Sequence, residues 1–247
     1  MTMTTFGIGR AEPAFPKRLF LEQAMFATAV WAGFMVFVLL LTIVVSLVRE
    51  IDVSGWNLAG QPARWFGFVI GIYVGYTLFP LYVTHGGTRR GHAIRSALFT
   101  LAYGGLMGLL LTLGFPIEAA LYAAMGWPQA LHETQLFAGP LDLPMILVQW
   151  VLIMTLWVAG GLFIGAAWYR NPAYGAFAIV LGIFFAGISG MAIGGNTGPH
   201  LWVYQQLLGG EKPGTAMAVI LHLASIAMLL GLTWATFKDA PIHNKSE

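Results

Sequence analysis

The chain has 247 residues, of which 58% are hydrophobic and 9% charged, and its 12 Lys and Arg against 10 Asp and Glu leave a formal net charge of +2. An ordinary soluble domain carries roughly 25% charged residues, so this composition, with a mean hydropathy of +0.76, excludes a typical soluble domain and points to a membrane protein. The lack of cysteine removes thiolate metal sites, thiol nucleophiles and disulfides, and so small a net charge gives no footprint for nucleic acid.

In chain order, residues 15–23 mix Phe15, Leu19, Phe20 and Leu21 with Lys17, Arg18 and Glu22, as expected of a short helix lying in the membrane interface. Apolar runs long enough to cross a hydrocarbon core of about 30 Å then fall at residues 24–48, 66–83, 96–113, 144–168, 174–194 and 216–237. The expected fold is therefore an all-α membrane protein, a single six-span domain over residues 1–247. The first run is too long for the apolar core of a cleavable signal and lacks a small-residue cleavage pattern.

Gly114 and Pro116 interrupt the pattern after the third span, predicting a helix break and then a short outer-interface helix over 119–125, with Trp127 at headgroup depth. Between the fifth and sixth spans, residues 201–208 are amphipathic and flanked by glycines, predicting a short helix in the outer leaflet. Small residues recur at four-residue spacing, as Gly67, Gly71 and Gly75, Gly104 and Gly108, Gly161 and Gly165, and Gly182, Ala186, Gly190 and Gly194. Such ridges allow close helix approach. Packing among the six spans accounts for each, with a subunit interface as the alternative.

Six spans put both termini on one side. With that side cytoplasmic, nine Lys and Arg lie inside and only Arg49, Arg64 and Lys212 outside, which predicts an N-in, C-in orientation in the cell membrane. The loop at 84–95 holds Arg89, Arg90 and Arg95 and would face the cytoplasm, open to a soluble partner. These arginines also serve as plain topology anchors.

Ionisable groups in the span interiors are sparse. His222 lies at membrane depth, and Glu118 and His200 lie near the outer boundary. Glu118 is read there as a solvated boundary residue, or else as a polar group held against the outer loop or a dimer partner. No histidine pair or carboxylate cluster suggests a haem or a catalytic metal, and the bare interior disfavours an ion-coupled carrier. Gly187-Ile188-Ser189-Gly190 resembles the glycine-serine-glycine motif of rhomboid intramembrane proteases, whose serine is activated by a histidine on a later span. Ser189 and His222 are the corresponding pair, at the outer ends of adjacent spans. Rhomboids place a further span between the two and glycines around the histidine, whereas here only a loop intervenes. Small-residue packing is the favoured reading.

Three segments together carry a wider likeness: Phe79-Pro80-Leu81 with Gly87-Thr88-Arg89-Arg90; Ile117-Glu118-Ala119-Ala120-Leu121-Tyr122 with Gly126-Trp127; and Gly161-Leu162-Phe163-Ile164-Gly165-Ala166 with Tyr169-Arg170. In order and spacing they resemble the actinobacterial permease-like membrane proteins of the type-2 ABC exporter permease group. The resemblance implies a dimer of six-span subunits, homomeric or heteromeric, with a separate ABC ATPase subunit under each half. An interfacial helix would precede span one, and the loop containing Gly87, Thr88, Arg89, Arg90 and Arg95 would contact the ATPase. Short helices at 199–208 would lie at the outer leaflet. The chain has no Walker-type glycine-lysine loop, so ATP and Mg would bind the partner and this subunit would not itself be an enzyme. The expected function is export of a hydrophobic or amphipathic compound, a lipid, antibiotic or peptide, among membrane lipids. The rival is a lipid-binding or scaffolding subunit that does not transport.

Overall fold

The computed structural model describes residues 15–131, 135–193 and 213–241. Six helical spans are long and apolar enough to cross a membrane. They comprise α1 (Lys17–Ser46); a 3-10 turn (Trp56–Ala59), α2 (Gly60–Ile72), a π turn (Tyr73–Thr77) and α3 (Leu78–Thr84); α4 (Arg89–Met125); α5 (Leu143–Arg170); α6 (Pro172–Ala192); and α7 (Thr215–Lys238). No strand forms among the described residues, where the only β pairing is an isolated bridge between Val53 and Ala130. Alternation of the spans gathers residues 15–16, 84–88, 171 and 239–241 at one end of the bundle, here the termini end. Residues 47–55, 126–131 and 135–142 lie at the opposite, loop end.

The most buried span is α5, which packs against α2, α4, α6 and α7. It reaches the centre because its glycines meet glycines. A Cβ on Gly71 would stand 2.7 Å from the Leu162 nitrogen, and one on Gly165 would stand 2.6 Å from the Ile72 carbonyl oxygen. Gly75 and Gly161 face backbone in the same way, so α2 and α5 touch main chain to main chain. Elsewhere on α5, Gly104 and Gly108 of α4 accept Thr155 and Val151. These ridges are consumed within one chain, as the packing reading expected.

Two local features differ from expectation. The chain does not break at Gly114: α4 continues through Pro116 to Met125, so residues 119–125 are its last turns and no separate interface helix follows. Gly114 is where the Trp56 ring enters, leaving no room for a Cβ. The missing Pro116 N–H leaves the Thr112 carbonyl without its helical donor, and around this point other carbonyls take side-chain donors, with Trp56 Nε1 donating to Leu111 O at 2.8 Å and Gln129 Nε2 to Phe115 O at 3.4 Å. The helix then ends at Gly126, whose φ of 70° suits a residue without Cβ. At the other extreme, residues 17–23 are the first turns of α1 and form no separate helix. The helix expected at 201–208, the wider 199–208 segment and His200 lie outside the described residues.

The second span is interrupted by the π turn at Tyr73–Thr77, in which Leu78 N–H donates to Tyr73 O. Pro80 lies four residues beyond Tyr76 and removes that residue's helical donor, so the widened turn sits where a regular α-helix is already disrupted. Phe79 then stacks on Phe237 with centroids 4.6 Å apart and meets His92 and Tyr169 edge-on, tying α3, α4, α5 and α7 together at the termini end.

Gly71→Ala should separate α2 from α5 and destabilise the protein by roughly 1–3 kcal/mol, read as a lowered melting temperature in detergent. Gly105→Ala, where a Cβ meets nothing within 4 Å, should change stability by less than about 0.5 kcal/mol.

Candidate functional site

At the termini end, the residues expected to contact a partner divide into two sets. Thr88 caps α4 by accepting from Gly91 N–H at 2.9 Å. Gly87 makes room for the Tyr82 ring, and Arg95 lies over that ring at 5.1 Å. These three shape the loop. Arg89 and Arg90 instead share with Lys238 and Trp234 a surface pocket of about 320 Å³, the Arg90 guanidinium standing 5.9 Å from the Trp234 ring centroid. That cluster of three cations was only partly legible, because Lys238 comes from α7, far along the chain.

At the loop end, Glu118 follows the second of its two readings: it is not solvated but held against the loop, with 1% of its surface exposed. One carboxylate oxygen accepts from Ser54 Oγ at 2.5 Å and from Gln129 Nε2 at 2.7 Å, and the other accepts from Trp56 N–H at 2.7 Å. Tyr122, one turn on, accepts from Gly55 N–H and donates to Val53 O. A second latch is built on buried Gln149, which accepts from Leu136 N–H at 2.7 Å and donates to Gln135, whose amide reaches Asn57. Glu118 and Gln149 thus pin the loop segments onto α4 and α5. Three donors from two separate segments stand in for water around the carboxylate, which is why it tolerates burial. Ser54, Gln129 and Gln149 were not singled out from sequence, since Ser54 is 64 residues from Glu118 and the other two pair with residues across a loop whose path local spacing does not set.

Ser189 and His222 do meet. Ser189 Oγ is 2.9 Å from His222 Nε2, and His222 Nδ1 is 2.8 Å from Ala218 O. Because a carbonyl only accepts, Nδ1 carries the proton and Nε2 accepts from the serine. This is the resting geometry of a nucleophile and its base. Both side chains are buried, the imidazole is oriented by its own helix and, among the described residues, by no carboxylate, and Ser189 sits inside α6, where backbone N–H groups are committed to the helix. The same geometry joins α6 to α7 as an interhelical hydrogen bond.

Arg64 is a further correction. The apolar run at 66–83 leaves Arg64 before the second span, but that span begins earlier, with the turn at Trp56, and places Arg64 in the second turn of α2. Pro62, in the first turn where proline is tolerated, is the local signal that the helix has started before Arg64. The guanidinium lies 5.7 Å from the Trp150 ring centroid. Its Nε is buried without a hydrogen-bond partner, and among the described residues no carboxylate forms an ion pair with it. Below it lies an apolar groove of about 410 Å³ between α2, α5 and α6, lined by Phe68, Ile72, Trp157, Gly160 and Ala186 among others.

Among the described residues, no group of three or more histidines and carboxylates is placed to hold a metal ion. The class defined by these features is a six-span helical membrane bundle. No family model, curated protein or solved structure matches the chain.

Glu118→Ala should strand the Ser54, Trp56 and Gln129 donors in a dry site, costing roughly 3 kcal/mol or more. The measurable result is a lower melting temperature and faster proteolysis of the 126–142 loop. A cysteine at position 118 should resist water-soluble thiol reagents until the protein unfolds.

Proposed function

We propose that the chain is the membrane subunit of an ATP-driven exporter of a hydrophobic or amphipathic compound. It would work with a separate ABC ATPase subunit, which binds ATP and Mg, and with a second permease subunit, in a cell membrane with both termini cytoplasmic. The observation that carries this reading is the convergence of Arg89, Arg90 and Lys238 on one surface pocket at the start of α4. A cationic pocket at that position suits an acidic patch on a soluble partner.

Coupling follows from rigidity. The 37 residues of α4 form a rod about 55 Å long at 1.5 Å per residue, with Arg89 at one end and the Glu118 latch near the other. A push on the 84–95 loop would travel along it. The π turn is itself seated on α5 through Gly75, and α3 is tied to α5 and α7 through Phe79, so the termini end would move as one packed group. Ile72, beside the π turn, lines the groove, so such a movement would alter the groove wall.

Changing Arg89 and Arg90 together to Gln should lower copurification with the ATPase, or its stimulation, about tenfold, equivalent to roughly 1.4 kcal/mol, while membrane insertion is unchanged. Unaltered association would remove the coupling role. Thr88→Cys and Leu141→Cys test the orientation. The first should react with an impermeant thiol reagent from the cytoplasmic side alone and the second from the outside alone, against a background without native cysteine.

A second reading rests on the 2.9 Å contact between Ser189 and His222, which fits an intramembrane serine hydrolase. Ser189→Ala keeps the helix packing and deletes the nucleophile. Transport should survive that change within about twofold, given the modest value of roughly 0.6 kcal/mol for such membrane hydrogen bonds. Labelling of Ser189 by a fluorophosphonate would instead favour the hydrolase.

A further inference from the structure

An arginine within a span is costly to keep, and where it persists it generally faces the bundle interior and finds a counter-charge. Arg64 faces the interior, yet among the described residues its guanidinium has only the face of Trp150. The register of the four helices around it adds the second observation. Arg64 is one turn from the groove residue Phe68, Trp150 two turns from Trp157, Ser189 one turn from Ala186, and His222 two turns from Leu229, each displaced toward the loop end. The groove itself is apolar, and by register these four residues form a polar layer beyond it on the loop side, with a cation that has no carboxylate on it among the described residues. Its rim opens sideways, since Trp65 and Ile183 are 57% and 56% exposed, so an occupant can enter from the bilayer. A volume of about 410 Å³ falls within the roughly 300–1,000 Å³ usual for small-molecule sites.

We propose that this groove binds an anionic lipid-like amphiphile, with its hydrocarbon chain between α2, α5 and α6 and its anionic head on Arg64. The chain replaces lipid contacts along Phe68, Trp157 and Gly160, and the head supplies the oxygen acceptors that the guanidinium lacks, an arrangement suited to bidentate pairing with phosphate or carboxylate. The polarisable Trp150 face holds the guanidinium in position. Gly60 makes this possible, because its missing side chain is the space that the Trp150 ring occupies. Identification of the occupant as cargo rests on the exporter reading, whereas binding itself needs no ATPase.

The full chain, purified in mild detergent without an ATPase, should be offered phosphatidylglycerol or phosphatidylcholine and its retained lipid counted by native mass spectrometry. Wild type should keep phosphatidylglycerol at least about fivefold better than phosphatidylcholine. Arg64→Gln should lose that preference, and Arg64→Lys, which keeps the charge, should hold most of it. Gly160→Leu should lower retention of both lipids, because a Cβ there meets nothing within 4 Å and the side chain enters the groove. Helicity and melting temperature of each variant establish that it is folded. Equal retention of the two lipids by wild type, undiminished phosphatidylglycerol on Arg64→Gln or Gly160→Leu, or displacement by inorganic phosphate alone would each overturn the proposal. Selective binding with no ATPase partner would leave the site standing and remove the exporter; a coupled ATPase with no selective binding would do the reverse.

Discussion

The contact between α2 and α5 is the constraint on which the other packing depends. Between apolar helices in a bilayer there is no hydrophobic drive to associate, since lipid chains are as apolar as leucine, and close fit must supply the attraction. Gly71, Gly75, Gly161 and Gly165 provide that fit by bringing two backbones into van der Waals contact. With α2 seated so closely, α5 becomes the shared wall for α4, α6 and α7. The same approach positions the apolar groove, whose lining side chains emerge on either side of the glycine seam.

Polar groups occupy the two ends of the bundle for different reasons. At the loop end, Glu118 and Gln149 gather main-chain and side-chain donors from segments that would otherwise leave buried polar atoms unpaired. This latch is a folding device, and the interruption at Pro116 is accommodated inside it. At the termini end, Phe79, His92, Tyr169 and Phe237 form an aromatic cluster, and Arg89, Arg90 and Lys238 stand around a surface pocket. Cohesion and exposed charge are thus adjacent, and a force applied to the charged loop would act on a well-packed group of helices.

Arg64 belongs to neither pattern. It is inside the helical region without the matched donors and acceptors that make Glu118 tolerable; it stands against a tryptophan face, and by register it lies near the level of the Ser189–His222 pair and one turn from the groove residue Phe68. Ser189 and His222 satisfy each other, so their closeness has a sufficient explanation in helix packing. Arg64 has no such explanation among the described residues, which is why a ligand is argued at Arg64.

The sequence alone determined that the chain is helical and has six spans, because a run of apolar residues long enough to cross a bilayer must satisfy its backbone hydrogen bonds within itself. It also marked the small-residue ridges and the basic character of the 84–95 loop, both written in local spacing and composition. It misread Gly114 and Pro116 as a break, because Gly114 instead makes room for the Trp56 ring, which comes from another span and is invisible in local spacing. For the same reason it left Glu118 open between solvent and a place against the loop, and put Arg64 outside the span. Burial of a charged group depends on which donors, rings and helices converge on it, and that convergence was decided only when α2, α4 and α5 packed.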